Sequence, residues 1–189
     1  MPFQAIYQGI SKVSCPLSKA RYVAETKAAG ILFEYSGTTT YWSNQQMTQS
    51  FVDKILTPYF DGKKQDLGLP ETQCALWQID VWSVHRSQKF RDWMRDNHPT
   101  ILVDFIPGGC TGIHQPCDVG IQRPLKRLYH EDVVNQLLMQ FDEKQDGEPE
   151  ALIFNETLGV LRDSSVRWLW DAFNAVNKPN LVKKVSRTI

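Results

Sequence analysis

The segment Cys74-Ala75-Leu76-Trp77-Gln78-Ile79-Asp80 decides the reading of the fold. It is an apolar run broken only by Gln78, without clean alternation, and it ends in a carboxylate. Such a run predicts a strand covered on both faces, as in the middle of a parallel sheet. In open α/β sheets, ligands and catalytic groups gather at the carboxyl ends of strands, so Asp80 stands where a metal or a base would sit. A second apolar strand, residues 100–106, is followed by the turn Pro107-Gly108-Gly109 and then by Gln115-Pro116-Cys117-Asp118. The interval 81–117 holds one helix and one strand, which is what two neighbouring parallel elements require. Asp80 and Asp118 are therefore candidates for two carboxylates of one divalent-metal site, with a third acid absent from the chain.

Working outward, the chain has 189 residues, room for one domain with a real core. Apolar residues make up 42% and charged residues 22%, the proportions of an ordinary globular protein. The formal net charge is zero, so any contact with nucleic acid must come from local basic patches. Cys15, Cys74, Cys110 and Cys117 form no Cys-x-x-Cys pair. Their spacing fits neither a disulfide framework nor a zinc knuckle, and predicts free thiols in a reducing compartment. No basic and apolar leader opens the chain, and Asp104 interrupts the apolar run 101–106, so neither a secreted nor a membrane-spanning protein is expected.

Towards the amino terminus, Phe3-Gln4-Ala5-Ile6-Tyr7-Gln8-Gly9 alternates as a strand, and Gly30-Ile31-Leu32-Phe33-Glu34-Tyr35-Ser36-Gly37 forms a second. Between them the pattern allows one short helix around residues 17–27. Ser43-Asn44-Gln45-Gln46 has the form of a capping box. It introduces an amphipathic helix carrying Met47, Phe51, Val52, Ile55, Leu56 and Tyr59, expected to end near Pro58, with a solvated loop over 61–72. Ser87 caps a helix through Asn97 that turns Phe90, Trp93 and Met94 inward. A long helix is expected to begin at Pro124, with the proline at N1, and to run to about Phe141. Residues 142–150 are a charged linker. A last helix, about 165–177, offers Val166, Leu169, Trp170, Phe173 and Val176 to the core. The order predicts an α/β fold with a mixed sheet flanked by helices, without a glycine-rich nucleotide fingerprint.

Mg²⁺ and Mn²⁺ prefer oxygen ligands, and two such ions can clamp an in-line displacement at phosphorus. Acidic residues that meet at one sheet edge from a strand end and a helix start suit that chemistry. Plainer readings stand beside it. An Asp at a strand end often makes a turn, an Asp at a helix start is an ordinary N-cap, and Asp104 is best read as solvent-facing. His85 and His114 are placed to orient a phosphate or a carboxylate, and equally to be hydrogen-bonded polar residues. Cys117 with His114 can be written as a nucleophile pair. Arg123, Lys126 and Arg127 are a candidate DNA-backbone contact or a solvated helix face.

With both acidic segments laid out, the chain resembles the DDE superfamily endonucleases, in particular pogo/Tigger-type transposase domains of the mariner group. The resemblance rests on the strand Phe3-Gln4-Ala5-Ile6-Tyr7-Gln8-Gly9, on Tyr41-Trp42-Ser43 followed by Phe51-Val52-Asp53-Lys54-Ile55-Leu56-Thr57-Pro58-Tyr59, and on Trp77-Gln78-Ile79-Asp80-Val81-Trp82-Ser83-Val84-His85. Its most specific part is Phe105-Ile106-Pro107-Gly108-Gly109-Cys110-Thr111-Gly112-Ile113-His114-Gln115-Pro116-Cys117-Asp118-Val119-Gly120. It implies an RNase H-like core, Mg²⁺ or Mn²⁺, DNA as partner, a nuclear location and strand cleavage and joining. Asp80 and Asp118 take the second and third acidic positions, catalytic and metal-binding. His85, Arg123, Lys126 and Arg127 are the expected nucleic-acid contacts.

The family's first acid and its amino-terminal helix-turn-helix reader have no counterpart in the sequence. The expectation is a core over 1–141 lacking its first strand or strands, and a helical extension over 151–189. Such a chain would be an inactive or weak endonuclease, or else a non-catalytic module binding nucleic acid or protein. Self-association of the chain stays open.

Overall fold

The computed structural model describes residues 1–109, 122–143 and 157–182. Two β-α-β units are joined by a long helical rod. In the first, β1 (Gln4–Tyr7) and β2 (Leu32–Tyr35) pair in parallel, Gln4 opposite Leu32, with the short helix α1 (Val23–Ala28) between them in sequence. In the second, β3 (Ala75–Asp80) pairs in parallel with β4 (Ile101–Ile106), Ala75 opposite Ile101 and Asp80 opposite Ile106. Helices α4 (Ser83–Arg86) and α5 (Gln88–Asn97) lie between these strands in sequence. The fold is thus α/β, and the described strands form two separate parallel pairs rather than the single mixed sheet expected.

The rod runs unbroken over 45–66 as α2 (Gln45–Phe51), a π-helical turn (Val52–Leu56) and α3 (Thr57–Asp66). Two expectations are corrected here. The capping residue is Asn44, not Ser43: its Oδ1 accepts from Met47 N at 3.0 Å, while its Nδ2 donates to Ser36 O at 2.7 Å. The helix also passes through Pro58 instead of ending there. A proline inside an α-helix lacks one N–H and its ring clashes with the carbonyl four residues back. Here the wider turn comes first, with Thr57 N bonded to Val52 O, so Pro58 sits at the start of a fresh α segment. The rod closes at Gly68 (φ 65), whose left-handed backbone lets Leu69 N reach Lys64 O at 2.8 Å.

The core lies between the rod, α5 and the inner face of the β3–β4 pair. Val52, Leu56, Phe90, Met94 and Ile101 are buried together, with Phe51, Phe60, Trp77, Trp93 and Val103 packed around them. Val52 and Phe90 have no exposed surface at all. The cap expected at Ser87 is present, its Oγ accepting from Phe90 N at 3.2 Å. His98, just past α5, pins the rod: it bonds Thr57 Oγ1 at 3.1 Å and Asp53 Oδ1 at 2.9 Å.

Strand β3 is not covered on both faces. Trp77 and Ile79 turn inward, whereas Leu76 is 62% and Leu102 52% exposed, and Gln78 Nε2 donates to Asp104 Oδ2 at 3.0 Å on the open side. A leucine in an outward position made the run look continuous although the pleat alternates. Asp104 faces solvent as expected, and Cys74, read as part of the buried strand, is an exposed thiol just ahead of it.

Helix α6 (Gln122–Glu143) packs along α7 (Leu158–Val176), and α7 also packs on α1. The last helix starts about two turns earlier than its apolar pattern indicated. Ser165, the expected first residue, is interior to it: its Oγ donates to Arg162 O at 2.6 Å and lies 2.7 Å from Tyr7 Oη. Burial pushes the Tyr7 hydroxyl up to about 12. Phe3 meets Phe173 edge-on, Leu17 N donates to Asp163 Oδ1, and Arg162 donates to Val13 O, so α7 closes over the amino-terminal unit. Buried Asp132 of α6 accepts from Trp168 Nε1 and lies 2.9 Å from Arg167 Nη1, tying the two helices together. Among the described residues, no helix is long and apolar enough to cross a membrane.

Candidate active site at the carboxyl end of strand β3

Asp80 is the last residue of β3, paired with Ile106 at the end of β4. It shares the open face of the sheet with Leu76 and Gln78, and its side chain is 40% exposed. Beyond it Val81 and Trp82 leave the sheet, and the single turn of α4 folds His85 back over the strand end. His85 Nδ1 lies 2.8 Å from Asp80 Oδ1 and 3.4 Å from the carbonyl oxygen of the same residue. A carboxylate only accepts, so the ring donates from Nδ1. Among the described residues Asp80 Oδ2 has no hydrogen-bond partner.

The imidazole is held by aromatic rings from three directions. Trp82 stands perpendicular to it at 5.3 Å between centroids, with Phe90 at 6.1 Å and Trp77 at 6.4 Å. Only 17% of the His85 side chain is exposed. Phe90 is itself part of the fully buried core, so the wall behind His85 is rigid on the scale of core packing. The separation of four residues between Asp80 and His85 is visible in the sequence. The contributions of Trp77 and Phe90 are not, because they come from another face of the strand and another helix.

The sequence-predicted residues divide as follows. Asp80, His85 and Trp82 meet at one strand end. Asp118, His114, Cys110 and Cys117 lie outside the described residues, so the convergence expected of Asp80 with Asp118 falls outside them as well. Arg123 is in the first turn of α6, and its side chain is outside the described set. Lys126 is exposed, and Arg127 Nε donates to Glu131 Oε1 at 2.6 Å along the same helix, its side chain 80% exposed. That is the solvated-face pattern, with the remaining guanidinium nitrogens open to solvent.

As a ligand for Mg²⁺ or Mn²⁺, Asp80 fits: it is a hard oxygen donor at a strand end, accessible, oriented, and with one oxygen uncommitted within the described structure. It is one ligand and not a complete site. Among the described residues no group of three or more His, Cys, Asp or Glu side chains is placed to hold an ion.

Comparison with known proteins gave no match among curated proteins and none among solved structures. One family model does match, over residues 14–184, taking in β2, the β3–β4 pair and both long carboxyl-terminal helices. By that match, which takes in Asp80 at its strand end and the motif around Asp118, the chain belongs to the DDE superfamily endonuclease family.

Proposed function

We propose that this chain is a transposase-derived endonuclease domain of pogo/Tigger type, with an RNase H-like core, acting on DNA in the nucleus. The observation that carries the reading is the placement of Asp80 at the carboxyl end of a parallel strand, oriented by a neighbouring side chain, inside a family match that spans most of the sequence. Asp80 and, by its motif, Asp118 would hold the divalent ions. Those ions would polarise the scissile phosphodiester and raise the reactivity of the attacking water or 3′ hydroxyl. The open face beside Asp80, lined by Gln78 and Asp104, leaves the strand end accessible to a polymer lying across it. Lys126 and Arg127 on the exposed side of α6, with Arg123 one turn earlier, supply local positive charge for the phosphate backbone of a protein with no net charge. The core is assigned to 1–141, followed by a charged linker over 142–150 and a helical extension over 151–189.

These residues carry two of the three acidic motifs of the family, so cleavage by this chain is expected to be weak. The test is nicking of supercoiled plasmid in Mn²⁺ and Mg²⁺. The reading requires metal-stimulated nicking that disappears in Asp80→Ala and in Asp118→Ala. If neither metal changes the plasmid while DNA still binds with a steep salt dependence, the chain is a non-catalytic nucleic-acid-binding module instead.

A further inference from the structure

We infer that His85 is a positioning residue for Asp80: it fixes the carboxylate by engaging Oδ1, so that Oδ2 is the oxygen offered to a divalent cation. This rests on the reading of Asp80 as a metal ligand and adds to it a specific division of labour between the two carboxylate oxygens.

The geometry makes the division. An aspartate at an accessible strand end rotates about two side-chain torsions, and a freely rotating carboxylate loses that freedom when it binds an ion. Here the 2.8 Å contact from His85 Nδ1 commits one oxygen, and the longer contact to the Asp80 carbonyl keeps the same N–H over the strand end. The ring cannot swing away without breaking its packing on Trp82, Trp77 and Phe90. The exposure of the pair is graded in the same sense: His85 is mostly covered, while the Asp80 side chain is more than twice as open. A covered donor behind an accessible acceptor is the arrangement in which the partner of a ligand sets its orientation, and losing such a partner typically weakens metal binding about 10- to 100-fold.

A purely structural His85 would be there for its ring. A positioning His85 is there for its N–H. Two substitutions separate the roles. His85→Phe keeps an aromatic ring against Trp77, Trp82 and Phe90 and removes the donor. His85→Asn removes the ring and places an amide N–H near the position of Nδ1. Mn²⁺ binding is followed by electron paramagnetic resonance of the free ion, with Asp80→Ala as control and thermal unfolding recorded for each variant. The expected result is a loss of affinity of about 10-fold or more in His85→Phe at near-native stability, with His85→Asn closer to the parent despite a lower Tm.

A second measurement needs no metal. Long-range ¹H–¹⁵N correlation in the metal-free chain should find the neutral His85 ring protonated on Nδ1. The positioning role is overturned if His85→Phe binds Mn²⁺ as the parent does, if both variants lose affinity equally, or if the ring carries its proton on Nε2. Mn²⁺ binding that is absent from the parent, or indifferent to Asp80→Ala, overturns instead the assignment of Asp80 as a ligand, and that outcome is read from the control alone.

Discussion

Replacing Glu34 tests how the amino-terminal strand pair is fastened to the helical rod. Its carboxylate, 13% exposed, accepts from Gln4 Nε2 of β1 at 2.6 Å, from Ser50 Oγ of α2 at 2.6 Å and from Lys54 Nζ at 2.8 Å. Gln4 Nε2 also donates to Met47 O, so one network joins β1, β2 and the rod. Hydrogen bonds to a charged group contribute about 1.5–3 kcal/mol each, and two of these donors are partly buried. At the lower end of that range they amount to about 3 kcal/mol. The Lys54 ammonium is 56% exposed, so its ion pair adds at most about 1 kcal/mol. Glu34→Ala is therefore expected to lower stability by about 3–4 kcal/mol, and Tm by about 6–16 °C for a chain of this size.

Glu34→Gln keeps an acceptor oxygen and should lose about half as much. Burial alone would push the Glu34 carboxyl up, but the hydrogen bonds from Lys54, Ser50 and Gln4, with the charge of Lys54, outweigh it and hold it below the usual carboxylate range. A carboxyl that is more acidic folded than unfolded stabilises the fold fully above its unfolded value, about 4.3, and loses that contribution as pH falls through the folded value. The gap between the parent and Glu34→Gln should thus close on acidification. Chemical denaturation at pH 7 and in acid measures it. Glu34→Ala within about 0.5 kcal/mol of the parent, a spread typical of inert surface sites, or a gap that widens in acid, would refute the reasoning.

Two other substitutions probe the rest of the frame. Phe90→Ala empties a fully buried site between the rod, β3 and α5 and should cost about 3–5 kcal/mol by denaturant titration; a cost below about 1 kcal/mol would mean that this core is not close-packed. Asp132→Ala removes the acceptor of Trp168 Nε1 and the countercharge of Arg167, which is 35% exposed, and should cost about 2–3 kcal/mol. Its effect should appear first as faster amide hydrogen exchange in α7, and uniform exchange across the chain would contradict a local α6–α7 fastening.

The candidate site was legible where its determinants are close in sequence. Asp80 to His85 spans one turn past a strand end, so a short-range pattern was enough to put the imidazole near the carboxylate. The cap at Ser87 and the inward face of α5 follow from helical period and from which side chains can accept a backbone N–H. The errors have equally definite causes. Proline opposes a regular helix, so the sequence pattern points to an end near Pro58, and a single π turn removes the conflict. The run ending in Asp80 reads as covered on both sides because Leu76 points out where alternation calls for a polar residue. The apolar pattern marks the start of α7 too late because the first turns of that helix carry few buried side chains.

By itself the amino-acid sequence determined the α/β class, four strand segments and the position of Asp80 at a strand end, each from period or residues adjacent in the chain, and its motifs carried the family resemblance. Tertiary structure alone decided that the described strands form two separate pairs and that Glu34 is the junction between sheet and rod. It also decided that α7 returns over β1 and α1, and that Trp77 and Phe90 hold His85 in place. Apart from the packing of His85, these are contacts between residues more than a dozen positions apart. Their free energy comes from packing and from satisfying buried polar groups, which no local pattern of side chains encodes.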